Sequence, residues 1–321
     1  MSIFSFLIFI LLQIAFLPLA IVGFLIVAYK QMVVSKKLGV SQTAIEVLNG
    51  RWTMHVFDIR KDQPTARLAN TIPNTSTFGL WLVLFPLWVK YKLSGKLFGY
   101  PRVPQEGTEG IGDIVVARTL YFDRIIERAV SDVEQFVLLG SGFDTRPYGT
   151  LKNEGLTFFE LDQATTQKLK IESLLAAGVD ISHVIFVEVD FSNDSIFQKL
   201  VESGYDLSKK TLFLWEGVTL YLSEVDVRNS LQDIRGHAAP GSTIVADIYG
   251  ERMIRLGTGA VGRRALEYTN EGFGFGLPFA SSFENCLKDF LDSENLKQGE
   301  SYFMGKNSTE GPFMVVVEIG I

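Results

Sequence analysis

The chain has 321 residues, a formal net charge of −6, 47% hydrophobic residues and a single cysteine. That length suits one large α/β domain with added segments. The acidic balance, without a long basic stripe, argues against a nucleic-acid partner, and Cys286 alone cannot form a disulfide within the chain.

Residues 3–29 are uncharged and almost wholly apolar, long enough for a membrane-crossing helix, which needs about 20 apolar residues. A cleaved signal peptide fits less well, because no Lys or Arg precedes the run, the run is long, and Tyr29-Lys30-Gln31 is a poor cleavage site. Lys30, Lys36 and Lys37 follow it. The positive-inside tendency then predicts a single-pass protein anchored by residues 1–37, with the remainder in the cytoplasm. Residues 38–109 read as a helical and linker region. Within it, residues 78–89 are apolar, contain Trp81 and Trp88, and are followed by Lys90, Lys92 and Lys96. This pattern suits either a membrane interface or a helix packed on the enzyme.

A catalytic domain is expected over residues 110–321. Residues 113–130 have helical spacing. Strands are predicted at 135–140, 157–162, 184–190, 211–216 and 242–249, with helices at 164–177 and 224–237. Alternating strands and helices predict a doubly wound α/β fold with a mostly parallel sheet. Strands at 301–305 and 313–319 would add an antiparallel C-terminal edge and bring the sheet to seven strands. Residues 250–300 then form an insertion, and its apolar, glycine-rich stretch 272–279 suggests a mobile lid over a cofactor.

Ligands of such sheets bind beyond the carboxyl ends of the strands. The first strand ends in Gly140-Ser141-Gly142, where glycines permit close approach of a ligand. Asp162 ends the second strand and could accept ribose hydroxyls. Asp190 and Phe191 end the third and could hold and cover an adenine. Glu216 ends the fourth. A dinucleotide fingerprint would need a small third residue, but Thr145 stands there, followed by Arg146-Pro147. Asp144 suits a loop-bracing role, Arg146 a surface cation and Tyr221 core packing. His55, His183 and His237 are far apart and no HExxH or paired CxxC is present, so no metal site is expected.

The runs GSGFDTRPY, FFELDQ, VEVDF and WEGVTLYL resemble the leucine carboxyl methyltransferase family and its bacterial O-methyltransferase relatives, over about residues 110–250. The resemblance implies a class I methyltransferase fold and S-adenosyl-L-methionine as cofactor. It also implies that Arg118 contacts the cofactor carboxylate, Gly140 lies under the cofactor, Asp162 holds the ribose, Asp190-Phe191 surround the adenine, and Glu216 lies near the amino end. Gly142 joins these as a candidate cofactor-binding residue. The expected acceptor is a small or lipophilic molecule methylated on oxygen, a carboxylate being one such acceptor. A nicotinamide-dependent oxidoreductase and a non-catalytic membrane protein with a degenerate domain stay as alternatives.

Overall fold

The computed structural model describes residues 3–149, 151–152, 155–191, 194–258, 272–279 and 282–321. The chain folds into two compact units. One comprises Met1–Val103 together with Gly142–Leu151 and Lys168–Ile181; the other comprises Pro104–Ser141, Lys152–Gln167 and Ser182–Ile321.

The first unit is helical. Helix α1 (Ile3–Ala28) continues through a π-helical stretch, Tyr29–Val34, into α2 (Ser35–Leu38), which ends at Gly39 with φ 68°. Ser41 caps α3 (Gln42–Val56) by accepting a hydrogen bond from the Ala44 amide, and Asp62 caps α4 (Gln63–Thr71) by accepting one from the Thr65 amide. Such caps satisfy amides that a helix start leaves unpaired. Ser76 caps α5 (Thr77–Ser94), which stops at Gly95. Helices α1 and α5 pack at glycines. A Cβ on Gly23 would lie 2.6 Å from the Gly79 carbonyl oxygen, and one on Gly79 would lie 2.9 Å from Val27 Cγ2.

The second unit holds α6 (Ile114–Ala129), β1 (Gln135–Leu139), β2 (Thr157–Asp162), β3 (Val184–Glu188), α8 (Ile196–Glu202), β4 (Thr211–Trp215), α9 (Glu224–His237), β5 (Thr243–Tyr249), α10 (Glu251–Thr258), α11 (Phe283–Ser293), β6 (Lys297–Met304) and β7 (Met314–Gly320). Helix α7 (Ala164–Ala176) starts in this unit and runs into the first. The seven strands form one sheet in the order β3-β2-β1-β4-β5-β7-β6. Strands β1 to β5 are parallel; β7 pairs antiparallel with β5 and with β6. This is the doubly wound sheet with an antiparallel edge that the sequence pattern predicts. Strands β1 and β4 are buried along their whole length, which is why they read as unbroken apolar runs. Val137, Phe159, Phe213 and Ile244 join the core of this unit.

Two expectations need correction. Strand β6 begins at Lys297, earlier than the apolar pattern suggests, and its register is irregular between Gln298 and Ser301. It lies at the sheet edge, so Lys297 and Gln298 pair without needing an apolar run. The second correction concerns residues 272–279. Phe275, Leu277 and Phe279 are buried, and the Leu277 amide donates to the Tyr249 carbonyl at 2.8 Å. Alternation of Phe or Leu with Gly or Pro places these side chains in the core instead of in a mobile flap. Residues 259–271 lie outside the described residues.

Replacing Gly79 by leucine forces α1 away from α5. Gly79→Leu is expected to cost about 1–3 kcal/mol, as overpacking of a tight contact does. A lower denaturation midpoint for the full chain in detergent would show this, whereas an unchanged midpoint would mean the helices do not meet there.

Candidate functional site

The strand order reverses direction about β1, whose neighbours are β2 and β4. That switch point is where open parallel sheets place ligands. Read across the sheet, the residues at the carboxyl ends are Asp190 after β3, Asp162 ending β2, Gly140 after β1 and Glu216 after β4.

Gly140 has φ +69°, and a Cβ there would lie 2.7 Å from Val218 Cγ2. Both conditions require glycine. Ser141 then donates its amide to the Leu161 carbonyl at 2.9 Å, joining the β1 turn to the end of β2. Asp162 is buried and accepts a hydrogen bond from the Gln163 amide at 2.8 Å. Its own carbonyl accepts from the Val189 amide at 3.0 Å, which fixes where the chain leaves β3. Asp190 is exposed and donates its amide to Asp194; Phe191 is half-buried against the core.

Arg118 occupies the buried face of α6, in helical spacing with Tyr121, Phe122 and Ile125. Its Nε lies 3.3 Å from Glu216 Oε1 and its Nη1 lies 3.3 Å from Asp247 Oδ2. Nη1 also donates to Tyr249 Oη at 2.8 Å. Tyr249 Oη donates to Asp247 Oδ2 at 3.0 Å, and the Gly217 amide donates to the same carboxylate at 2.9 Å. Burial works against the Arg118 charge, but Tyr249, Glu216 and Asp247 outweigh it and hold the guanidinium charged. Burial, with help from nearby Glu216, pushes the Asp247 carboxyl up to about 6 against the pull of Arg118. Burial and the adjoining Asp247 raise Tyr249 well above the usual phenol range.

One unit therefore brings together Arg118, Gly140, Asp162, Asp190, Phe191 and Glu216. Asp247 and Tyr249 join them, although the sequence reading missed both. The available signal was an acid set inside the apolar run of β5.

Gly142 belongs to the other unit, where it begins the segment 142–151 and a Cβ would lie 3.8 Å from Ala44. There Asp144 accepts the Arg146 amide at 2.8 Å and pairs with Arg51 at 2.9 Å and with the Arg146 guanidinium. Burial opposes its charge, but Arg146 and Arg51 prevail and hold the carboxyl far below the usual range. Arg146 is thus a buried ion-pair partner and not the surface cation expected. Thr145 Oγ1 donates to Asp62 at 3.1 Å. Among the histidines, His55 Nδ1 accepts the Asp62 amide, His183 meets Phe158 edge-on, and His237 stacks on Phe197.

The sequence pattern that defines the leucine carboxyl methyltransferases matches residues 93–235. A Bacillus subtilis protein, provisionally named S-adenosyl-L-methionine-dependent methyltransferase YktD, is 30% identical over 141 residues, 43% of this chain and 46% of its own. A Saccharopolyspora erythraea protein with a provisional name of the same kind is 30% identical over 197 residues, 58% of this chain and 66% of its own.

Residues 93–235 thus resemble the leucine carboxyl methyltransferase family.

The matched part spans between 46% and 66% of these two relatives. The names of both relatives make S-adenosylmethionine their cofactor. A solved structure from Thermobifida fusca, titled provisionally as a methyltransferase, shares the fold with a TM-score of 0.50 at 14% identity, covering 83% of this chain and 93% of that one.

The raised Asp247 carboxyl has a consequence for stability. At pH values between about 4 and about 6 the folded protein retains this proton while the unfolded chain has released it. The native state then binds more protons, so the contribution of Asp247 to stability falls as pH rises through that window and is level above it. Chemical unfolding at several pH values should show the difference between wild type and Asp247→Asn changing across this window. Parallel profiles would mean that Asp247 ionises like an exposed carboxyl.

Proposed function

We propose that this chain is an S-adenosylmethionine-dependent methyltransferase that acts on an oxygen of a lipophilic acceptor, a carboxylate being the favoured form. The observation that supports this most is the ordered set Asp190, Asp162, Gly140 and Glu216 across four adjacent strand ends, with Arg118 beside Glu216. One ligand accounts for every member. Asp162 would accept the ribose hydroxyls. Asp190 and Phe191 would hold the adenine, and Gly140 would allow the backbone to lie against the cofactor. Arg118 would take the cofactor carboxylate and Glu216 its ammonium group. The three acidic residues also suit a cationic ligand better than they suit the pyrophosphate of a dinucleotide.

The bound cofactor would supply a methyl group on a sulfonium that is already a good leaving group. The chain's own contribution is then chiefly alignment and exclusion of water. An acceptor carboxylate needs no base to remove a proton, which agrees with a site whose members bind and orient. A lipophilic acceptor and attachment to a membrane are supported by the exposed apolar side chains of α1.

Asp162→Ala should weaken binding of adenosylmethionine at least tenfold, since a hydrogen bond to a charged group contributes about 1.5–3 kcal/mol. Calorimetry on both proteins measures this, and equal affinities would remove Asp162 from the cofactor site. NAD should not displace the ligand at comparable concentration.

Methyl-labelled cofactor, incubated with the protein and a lipid extract of the source cells, should label a lipid that releases volatile methanol in mild base. Dialysis against a chelator should leave that turnover intact. Label confined to base-stable nitrogen products, or to water-soluble protein, would defeat the acceptor assignment and leave the cofactor assignment standing.

A further inference from the structure

Helices α1 and α5 lie side by side and antiparallel. Gly23 meets Gly79 at one end, Phe16 stacks on Phe85 at 5.0 Å in the middle, and Phe6 and Phe9 meet Phe98 at 5.7 and 5.5 Å at the other. Helix α5 is also tied to the rest of its unit. Trp81 packs on Trp52, Tyr91 on Phe57, and Lys92 pairs with Asp58 at 2.7 Å.

This packing restricts how the pair can meet a bilayer. Were both helices to cross, the residues between them and those after α5 would lie on opposite faces. Yet Arg51 pairs with Asp144 at 2.9 Å, Thr145 bonds to Asp62 at 3.1 Å, and Thr71 Oγ1 donates to the Ser173 carbonyl at 2.8 Å. Segments before and after α5 therefore share one side. Were α1 alone to cross, it would have to part from α5 and lose contacts that run from Phe6 to Gly23.

The exposed surface indicates what covers α1. Phe4, Leu7, Leu11, Leu17, Leu19 and Phe24 are 45–68% exposed. At about 100° per residue they spread over more than half of the helix circumference. A seam for another helix occupies a narrow stripe, whereas hydrocarbon solvates every open direction. Lysines stand at both ends of the pair. Lys36 and Lys37 follow the carboxyl end of α1, and Lys92 and Lys96 lie near its amino end, where Phe6 and Phe9 meet Phe98. Charge at both ends gives no inside–outside asymmetry for a crossing helix, but it suits a pair whose two ends both rest among anionic headgroups.

We infer that α1 and α5 together lie in the plane of a single lipid leaflet, so that the chain is a monotopic protein instead of a single-pass one.

The test uses the full chain with Cys286→Ser and, one at a time, Phe4→Cys, Ile14→Cys and Leu25→Cys. Each cysteine carries a nitroxide, and the three sites share one face of α1. The proteins are bound to vesicles of phosphatidylcholine and phosphatidylglycerol in a three-to-one ratio. Relative accessibility to oxygen and to a water-soluble nickel complex reports depth. The expected result is one common depth, within one leaflet, for all three labels. A label at Ile14 that is markedly deeper than those at both Phe4 and Leu25 would establish a crossing helix and overturn the inference. Full access of nickel to all three, with or without vesicles, would also overturn it. So would lipid-independent spin–spin broadening between copies, which would assign this face to a second chain. No cofactor or acceptor is present, so the outcome is separate from that of the methyltransferase assay.

Discussion

A guanidinium group buried in a protein is tolerable only where acids and hydrogen-bond acceptors surround it. Arg118 imposes that condition on the second unit. Glu216, Asp247 and Tyr249 meet it from two neighbouring strands, β4 and β5, and the Gly217 amide meets the Asp247 carboxylate in turn. Glu216 is therefore held by a cation, and the cation by a second acid behind it. With Arg118 positive and both carboxylates ionised, the cluster carries a net negative charge. Removing any one partner would leave a buried charge with less compensation, so the network is both a structural element and a means of orienting side chains.

The same reasoning explains the loop that follows β1. Asp144, Thr145 and Arg146 look like exposed loop residues when read in the chain. Their side chains are instead buried against Arg51 and Asp62 on the helices of the first unit. A short polar segment is fixed here by ion pairs whose partners come from an earlier part of the sequence.

Much of the sheet was legible in the sequence because burial on both faces leaves a plain mark. Runs such as QFVLLG and TLFLWE admit few readings when helical patterns stand between them. Strand-end residues such as Asp162 and Glu216 were legible because position in this fold carries meaning. Asp247 and Tyr249 were not, since an acid and a phenol inside a strand resemble ordinary strand residues until Arg118, distant in the chain, is seen beside them. The burial of Arg146 was hidden for the same reason. The packing of Phe275 and Phe279 was masked by their glycine neighbours, which suggested mobility although the alternation itself favours one buried face. The apolar length of α1 was obvious, but length alone does not say which way a helix lies. That depended on its contacts with α5.

The first unit is assembled from three separated stretches of chain, and this restricts where the protein can be cut. A truncation at residue 37 would take away α1 and keep the helices that hold Asp144 and Thr145. A truncation at residue 103, placed to leave the sheet alone, would remove Arg51 and Asp62 as well. Asp144 would then keep Arg146 but lose its other arginine, and Thr145 would lose its acceptor. Helices α3 and α4 thus shelter a loop encoded further along the chain, and a fragment that keeps that loop in place has to carry both helices with it.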